Sequence, residues 1–263
     1  EMGAKMVPCA GWEMPVWYSS VLEEHRAVRE AAGLFDVTHM GVYQAEGPDA
    51  GMFLDSVCGN DISALDVGES CYTHFLDHNA NVIDDLLVYR RAKDKFLAVV
   101  NASNDDKDWA WLNAVRGGEI RVDNKSPWAV AFGRNVKLRN LRDPSAGDDM
   151  RVDIALQGPR SREILLKFEC SLSDRRTIRA LNWAELGEVV LDGIPLVVSR
   201  TGYTGERMGF ELFVHPQNAV RLWKALLKAG EDFCIKPCGL GARDSLRTED
   251  GLPLYGHEMG GRL

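Results

Sequence analysis

Asn79-Ala80-Asn81-Val82-Ile83-Asp84-Asp85-Leu86-Leu87-Val88-Tyr89-Arg90 passes from turn chemistry at 77–81 straight into an apolar strand at 86–89. Two adjacent acids stand at the mouth of that strand. Successive side chains of a strand point to opposite faces, so one acid enters a cleft while the other faces solvent or caps a turn. A carboxylate held beside apolar residues can orient a proton-bearing nitrogen and stabilise positive charge developing on it. Taken alone, the pair reads first as an Asx turn ahead of a strand.

Working outward, strands at 70–76, 82–89 and 95–100 form a meander, and Asn104-Asp105 caps a helix running to 115 whose Trp109 and Leu112 face inward. A strand is expected at 119–122. Upstream, 9–18 reads as a Pro/Gly/Trp-rich loop in which Trp12, Trp17 and Tyr18 form either a clasp over the core or a wall for a flat ligand. Ser20 and Glu23 make a capping box for a helix ended by Gly33. Strands at 34–37 and 41–45 are interrupted around His39, a core histidine with no acid-base partner in view. Pro48 opens a helix to 57. The alternation of strands and helices over about 100 residues suggests an α+β fold with largely antiparallel sheets.

Downstream, 123–153 is the least structured-looking part. Its Arg134, Lys137, Arg139 and Arg142 read as a solvated face, with a docking patch for an acidic partner as the alternative. A strand at 154–156 precedes a helix from Pro159 to 168. Asp192-Gly193 joins a hairpin of 187–191 and 195–200. Gly202 and Gly205 bracket Tyr203 before a strand at 210–214, and helices follow at 216–229 and 241–250. No internal repeat or low-complexity segment is visible.

A length of 263 residues allows one large or two modest domains, and 45% hydrophobic with 27% charged residues is an ordinary globular composition. A net charge of -8 argues against nucleic acid or an anionic membrane as main partner. Cys9, Cys58, Cys71, Cys170, Cys234 and Cys238 are scattered, complete no zinc pattern with histidine, and read as reduced thiols. No metal is expected. No apolar run reaches transmembrane length.

Several motifs carry a resemblance to a known family. Gly11-Trp12-Glu13-Met14-Pro15-Val16-Trp17-Tyr18, Glu24-His25-Arg26-Ala27-Val28-Arg29 and Leu34-Phe35-Asp36-Val37-Thr38-His39-Met40 open the series. Ile83-Asp84-Asp85-Leu86, Val99-Val100-Asn101-Ala102, Ala155-Leu156-Gln157-Gly158-Pro159 and Arg200-Thr201-Gly202-Tyr203-Thr204-Gly205-Glu206 follow. Phe210-Glu211-Leu212, Gly241-Ala242-Arg243-Asp244-Ser245-Leu246-Arg247 and Gly251-Leu252-Pro253-Leu254-Tyr255-Gly256 complete it. In this order the chain resembles the folate-binding aminomethyltransferases of the glycine cleavage system, the T-protein family, over nearly its whole length.

The resemblance implies an enzyme transferring an aminomethyl carbon from a lipoylated H-protein-like carrier to tetrahydrofolate, with release of ammonia. It implies Asp85 as the catalytic acid. Asn101 and Glu211 hold the pterin, Tyr72 lines the folate cavity, and Arg243 lies at the substrate site; Trp183 and Tyr203 are further folate-binding candidates. The chemistry agrees. A pterin edge offers parallel N–H donors that suit a carboxylate such as Glu211, and an amide such as Asn101 both donates and accepts. Because the folate nitrogen attacks, no protein nucleophile is required, consistent with a sequence lacking a Ser/His/Asp or Cys/His set. Asp84 is assigned to the turn. The implied location is cytoplasmic, or the mitochondrial matrix in a eukaryote.

The implied architecture is two discontinuous lobes, 1–45 with 150–235 and 46–149 with 236–263. The chain reads as a fragment lacking the family's C-terminal barrel domain. Two departures from the family pattern stand out: Arg207-Met208-Gly209 makes the loop before Phe210 one residue longer, and 143–153 is extended. The extension favours, as an alternative, a folate-dependent demethylase or methyltransferase acting on a small methylated amine, sulfonium or aryl ether. A non-catalytic folate-binding protein and a docking module without a ligand are the remaining readings.

Overall fold

The computed structural model describes residues 2–122 and 135–260. Among them the chain divides into two units, Glu1–His39 with Met150–Leu252 and Met40–Asp149 with Pro253–Leu263.

The first unit holds a six-stranded sheet and a separate two-stranded hairpin. The hairpin pairs β1 (Lys5–Cys9) with β2 (Trp12–Trp17) in the stretch expected to be a loop. Ala10 (φ 48°) and Gly11 (φ 82°) turn it, both with the positive φ that matches the twist of two paired strands. Pro8 and Pro15 hid it, because proline argues against a central strand but is admitted in an isolated ribbon. Helix α1 (Val21–Glu30) starts where Ser20 accepts from the Glu23 amide, as the capping box predicts.

The large sheet takes β3 (Gly33–Asp36), then β9 (Val152–Gln157), β10 (Leu186–Leu191), β11 (Ile194–Ser199), β12 (Gly209–Val214) and β13 (Lys236–Cys238), in the order β10-β11-β12-β9-β3-β13. All pairings are antiparallel except β13 with β3. One face carries Leu34, Ile154, Leu156, Val198 and Leu212, buried with Ile164, Ile178, Leu222 and Leu226. Those last four come from α4 (Ser161–Leu165), α5 (Leu172–Ala180) and α6 (Pro216–Ala229). The opposite face carries Ser199, Glu211, Asp153 and Gln157, all buried. Helix α4 is shorter than the expected 159–168, and α5 had no expectation.

The second unit is built on an antiparallel sheet of β4 (Gly41–Glu46), β5 (Ser70–Leu76), β6 (Val82–Ala92), β7 (Lys95–Val100) and β8 (Lys137–Asn140), in the order β5-β6-β7-β4-β8. Its buried face, with Tyr43, Phe75, Leu86, Val88, Ala98 and Val100, packs with Phe53, Leu54 and Leu112. These come from α2 (Ala50–Val57) and α3 (Asp105–Gly117). The expected meander, the two helices and the hairpin across Asp192-Gly193 are all present.

Several expectations are corrected. Residues 119–122 are not a strand: Gly118, left-handed at φ 80°, caps α3, and the Glu119 and Ile120 amides fold back onto the Ala114 carbonyl. Residues 41–45 belong to the second unit because β4 pairs with β7 and β8. Residues 236–252 belong to the first because β13 pairs with β3, and α7 (Leu240–Glu249) follows it. Of the basic cluster, Arg139 pairs with Asp149 at 2.6 Å and Arg142 donates to the Met40 carbonyl at 2.6 Å, while Lys137, largely exposed, lies 3.8 Å from Glu46. Arg134 lies outside the described residues. Among the described residues no helix is long and apolar enough to cross a membrane.

Candidate functional site

In the second unit β6 delivers Asp85 to the sheet face opposite α2 and α3. Its β5 neighbour across the ladder is His74, and Tyr72 lies two residues along on the same face. Asp85 is 8% exposed. Tyr72 Oη donates to its Oδ2 at 2.9 Å, and Asn101 Nδ2 donates to its Oδ1 at 2.9 Å. Burial raises the Asp85 carboxyl above the ordinary carboxylate range. The Tyr72 hydrogen bond opposes that rise, Asp84 adds to it, and Asn101 and His74 oppose it. The result is a partly desolvated acid whose charge is steered by two neutral donors.

Asp84 is not a turn residue. It lies within β6, fully buried, across from Phe75 on the face that meets α3. It accepts from the Asn101 backbone amide at 3.0 Å, from Asn101 Nδ2 at 2.9 Å and from Asn104 Nδ2 at 2.6 Å. The alternation of the strand holds, but the start of α3 covers the second face, so both acids are buried. The Asn101 amide lies within hydrogen-bond distance of both.

Behind Asp84, Tyr43 Oη donates to Asp105, and Asp108 is fully buried. Gly41 makes room for this packing: a Cβ there would come within 2.6 Å of Asp105 Oδ1 and 2.5 Å of Val100 Cγ2. Lys107 donates to the Ile83 carbonyl at 2.6 Å and to Asn104 Oδ1 at 2.9 Å.

In the first unit Glu211 sits on β12 between Ser199 of β11 and Ala155 of β9, buried on the polar sheet face. Thr201 donates a short hydrogen bond to it, and Thr201 Oγ1 lies 3.1 Å from Ser199 Oγ. The guanidinium of Arg243, from α7, stacks 4.8 Å from the centroid of the Tyr203 ring. Burial lowers the Arg243 pKa, against the pull of Glu211, Tyr203 and Asp153. Asp153, fully desolvated beside Glu211, is raised well above the ordinary range, with Arg243 opposing.

The loop carrying Tyr203 is held by Gln157, whose Nε2 donates to the Thr201 carbonyl at 3.1 Å and whose Oε1 accepts from Thr204 at 2.8 Å. A Cβ on Gly202 or Gly209 would lie 2.0 or 2.4 Å from Gln157 Oε1, which explains both glycines. Arg29 ties the far side, donating to the Thr204 carbonyl at 2.6 Å and to Glu206 at 2.7 Å. The extra residue of 207–209 is absorbed ahead of β12. The Met208 carbonyl accepts from the Gly158 amide at 2.9 Å, and Glu211 keeps its register with Ser199. The extended stretch at 143–153 closes as a 3₁₀ turn (Pro144–Asp149) bonded to Arg139, then enters β9.

The expected residues thus fall into two groups. Asp85, Tyr72 and Asn101 form one hydrogen-bonded set in the second unit; in the first, Thr201 donates to Glu211 and Arg243 stacks on Tyr203. Trp183 joins neither by a hydrogen bond or ring contact among the described residues. It lies 53% exposed in the turn before β10. The sequence reading gave no site role to Asp108, Asp153 or Thr201 and took Asn104 as a helix cap, whereas its side chain donates to Asp84 and makes no cap hydrogen bond. For α3 a signal existed: Asn104 and Asp108, four residues apart, share one helical face with Leu112 and Val115, so polar groups interrupt a buried stripe. No group of three or more His, Cys, Asp or Glu side chains among the described residues is placed to hold a metal ion.

The family model described as the GCVT N-terminal domain matches residues 1–263. An aminomethyltransferase from Symbiobacterium thermophilum is 44% identical over 261 residues, covering 98% of this chain and 64% of the relative. One from Bacillus cytotoxicus is 42% identical over 257 residues, covering 98% and 63%. Among solved structures, glycine cleavage system aminomethyltransferase T from Bartonella henselae superposes with a TM-score of 0.81 at 34% identity, covering 99% of this chain and 63% of that one. The chain therefore spans a little under two thirds of the length of these relatives. By a match along its whole length and by relatives of this identity, the chain belongs to the glycine-cleavage T-protein family, as its GCVT N-terminal domain.

Proposed function

We propose that this chain is the folate-binding, catalytic part of an aminomethyltransferase, with tetrahydrofolate as the one-carbon acceptor and a lipoylated H-protein-like carrier as the donor. The observation that carries the reading is the buried Asp85 carboxyl, aimed by Tyr72 and Asn101 and set apart from bulk water. In the proposed reaction one folate nitrogen bonds to the methylene carbon as the carbon–sulfur bond breaks, the second folate nitrogen bonds to the same carbon as its bond to the amino group breaks, and the sulfur leaves as the dihydrolipoyl thiol. The two folate N–H protons are shed, one to the departing sulfur, giving the thiol, and one to the departing amino group, which leaves as ammonia. Asp85 contributes a negative charge beside the developing iminium and a nearby acceptor for a folate proton. Glu211 suits the pterin amino edge, and Arg243 stacked on Tyr203 offers a cation beside a flat wall. Asn101 and Tyr72 supply neutral hydrogen-bonding groups, and Trp183 an exposed ring. Of the alternatives, the demethylase reading rested on 143–153, which forms a turn bonded within its own unit.

The test combines the full-length protein with tetrahydrofolate and an aminomethyl-loaded lipoyl carrier, following methylene-tetrahydrofolate and ammonia together. Equal amounts of both products support the proposal. Folate binding without either product sinks the aminomethyl donor, and no folate binding sinks the enzyme readings altogether.

A further inference from the structure

The buried acid Asp108 has no role in the reaction as drawn, and it lies within the network behind the working face. Among the described residues neither of its carboxyl oxygens accepts a hydrogen bond, although the side chain is fully buried. Asn104, one turn earlier on the same face of α3, donates to Asp84 at 2.6 Å, which sets the Asp108 carboxyl on the side of the helix that meets Asp84. Two buried carboxylates in contact repel; a proton between them turns the repulsion into a hydrogen bond. Among the described residues the donors to Asp84 are the amides of Asn101 and Asn104.

We infer that Asp108 is a positioning residue: as a neutral carboxylic acid it donates to Asp84, and Asp84 in turn fixes the Asn101 amide that holds Asp85. The pair then carries one negative charge in place of two. Asp84 remains the acceptor for Asn101. This rests on the reading of Asp85 as the working carboxylate.

The surroundings agree. The Asp108 carboxyl is pushed up to about 10 by burial first, then by its hydrogen bond to Asp84 and that residue's charge; Lys107 opposes the rise and Asp105 adds to it. From β4, Tyr43 faces the same group, and its phenol is itself held protonated by burial and by Asp105, Asp108 and Asp84. The folded-state value lies above the unfolded one. Native stability is therefore unaffected by this group below about pH 4 and falls as pH rises from there toward the folded value.

The experiment uses carbon-13 carboxyl NMR titrations of the wild-type chain, D108N and D108A, with urea midpoints across pH and transfer kinetics in the full-length protein. In the wild type the Asp108 signal should not titrate in the ordinary carboxylate range. D108N keeps a donor toward Asp84, so the Asp85 midpoint should stay in place and the alkaline fall in the urea midpoint should lessen. D108A should raise the Asp85 midpoint by loosening Asn101, and lower kcat by about tenfold or more with little change in folate KM. The conservative D108N should restore most of that turnover. An Asp108 signal titrating like an exposed aspartate overturns the inference, as does an unmoved Asp85 midpoint in D108A. If D108A does not fold, the wild-type titration and the pH dependence of D108N decide. Absence of transfer in every protein, wild type included, would count against the aminomethyltransferase reading alone, because the titrations judge Asp108 without turnover.

Discussion

Tyr72 Oη donates to Asp85 Oδ2 at 2.9 Å from two residues further along the paired strand. The phenol stabilises the ionised carboxylate that burial disfavours. Removing it in Y72F should raise the Asp85 pKa further, since a contribution that lowers it is lost. The ionised form would then appear only at higher pH, and the acid limb of kcat/KM should move upward. A pH–rate profile checks this; an unmoved limb would separate Asp85 from the titrating group.

D85N tests the carboxylate itself. Turnover should fall by about 10²–10⁴-fold while most folate affinity remains, as expected when charge stabilisation and proton transfer are lost together. Stability should move the other way. The folded-state pKa of Asp85 is raised, so ionisation costs the native state stability as pH climbs above the unfolded value of about 4. D85N should melt higher than wild type at pH 8, and the gap should close toward pH 4.

Glu211 is buried with Thr201 as a hydroxyl donor. T201V leaves a buried carboxylate short of one hydrogen bond and should cost about 1–3 kcal/mol of unfolding free energy. E211Q keeps the shape while replacing one acceptor oxygen with a donor, and should weaken tetrahydrofolate binding by at least about tenfold. Urea denaturation and calorimetric titration read the two effects, and undiminished folate affinity in E211Q would remove Glu211 from the site.

Gly41 is a packing requirement. A methyl at that position would sit 2.6 Å from Asp105 Oδ1 and 2.5 Å from Val100 Cγ2, and Val100 lies in the strand paired with it. G41A should destabilise the chain by about 1–3 kcal/mol. It should also disturb Asp105, the acceptor for Tyr43. Wild-type stability in G41A would mean the backbone yields here at no cost.

The meander, the Asp192-Gly193 hairpin, the capping box of α1 and the long helices were legible because each depends on local chemistry: strand alternation, turn residues and caps. The ordered motifs likewise brought Asp85, Asn101, Glu211 and Arg243 into view before any coordinates. The β1–β2 hairpin was hidden by its prolines, and β13 is only three residues long, too short for any pattern to show.

What tertiary structure alone decided is how many partners each polar group meets. Sequence alternation placed Asp84 and Asp85 on opposite faces, and that holds. It could not say that the start of α3 closes over the Asp84 face, bringing Asn104 against it from about twenty residues away, with Asp108 one turn further along the same helical face. Nor could it foresee that Asn101 would touch both acids, since that depends on where β7 ends beside β6. Local propensity is a property of neighbours along the chain; burial and protonation are set by neighbours in space.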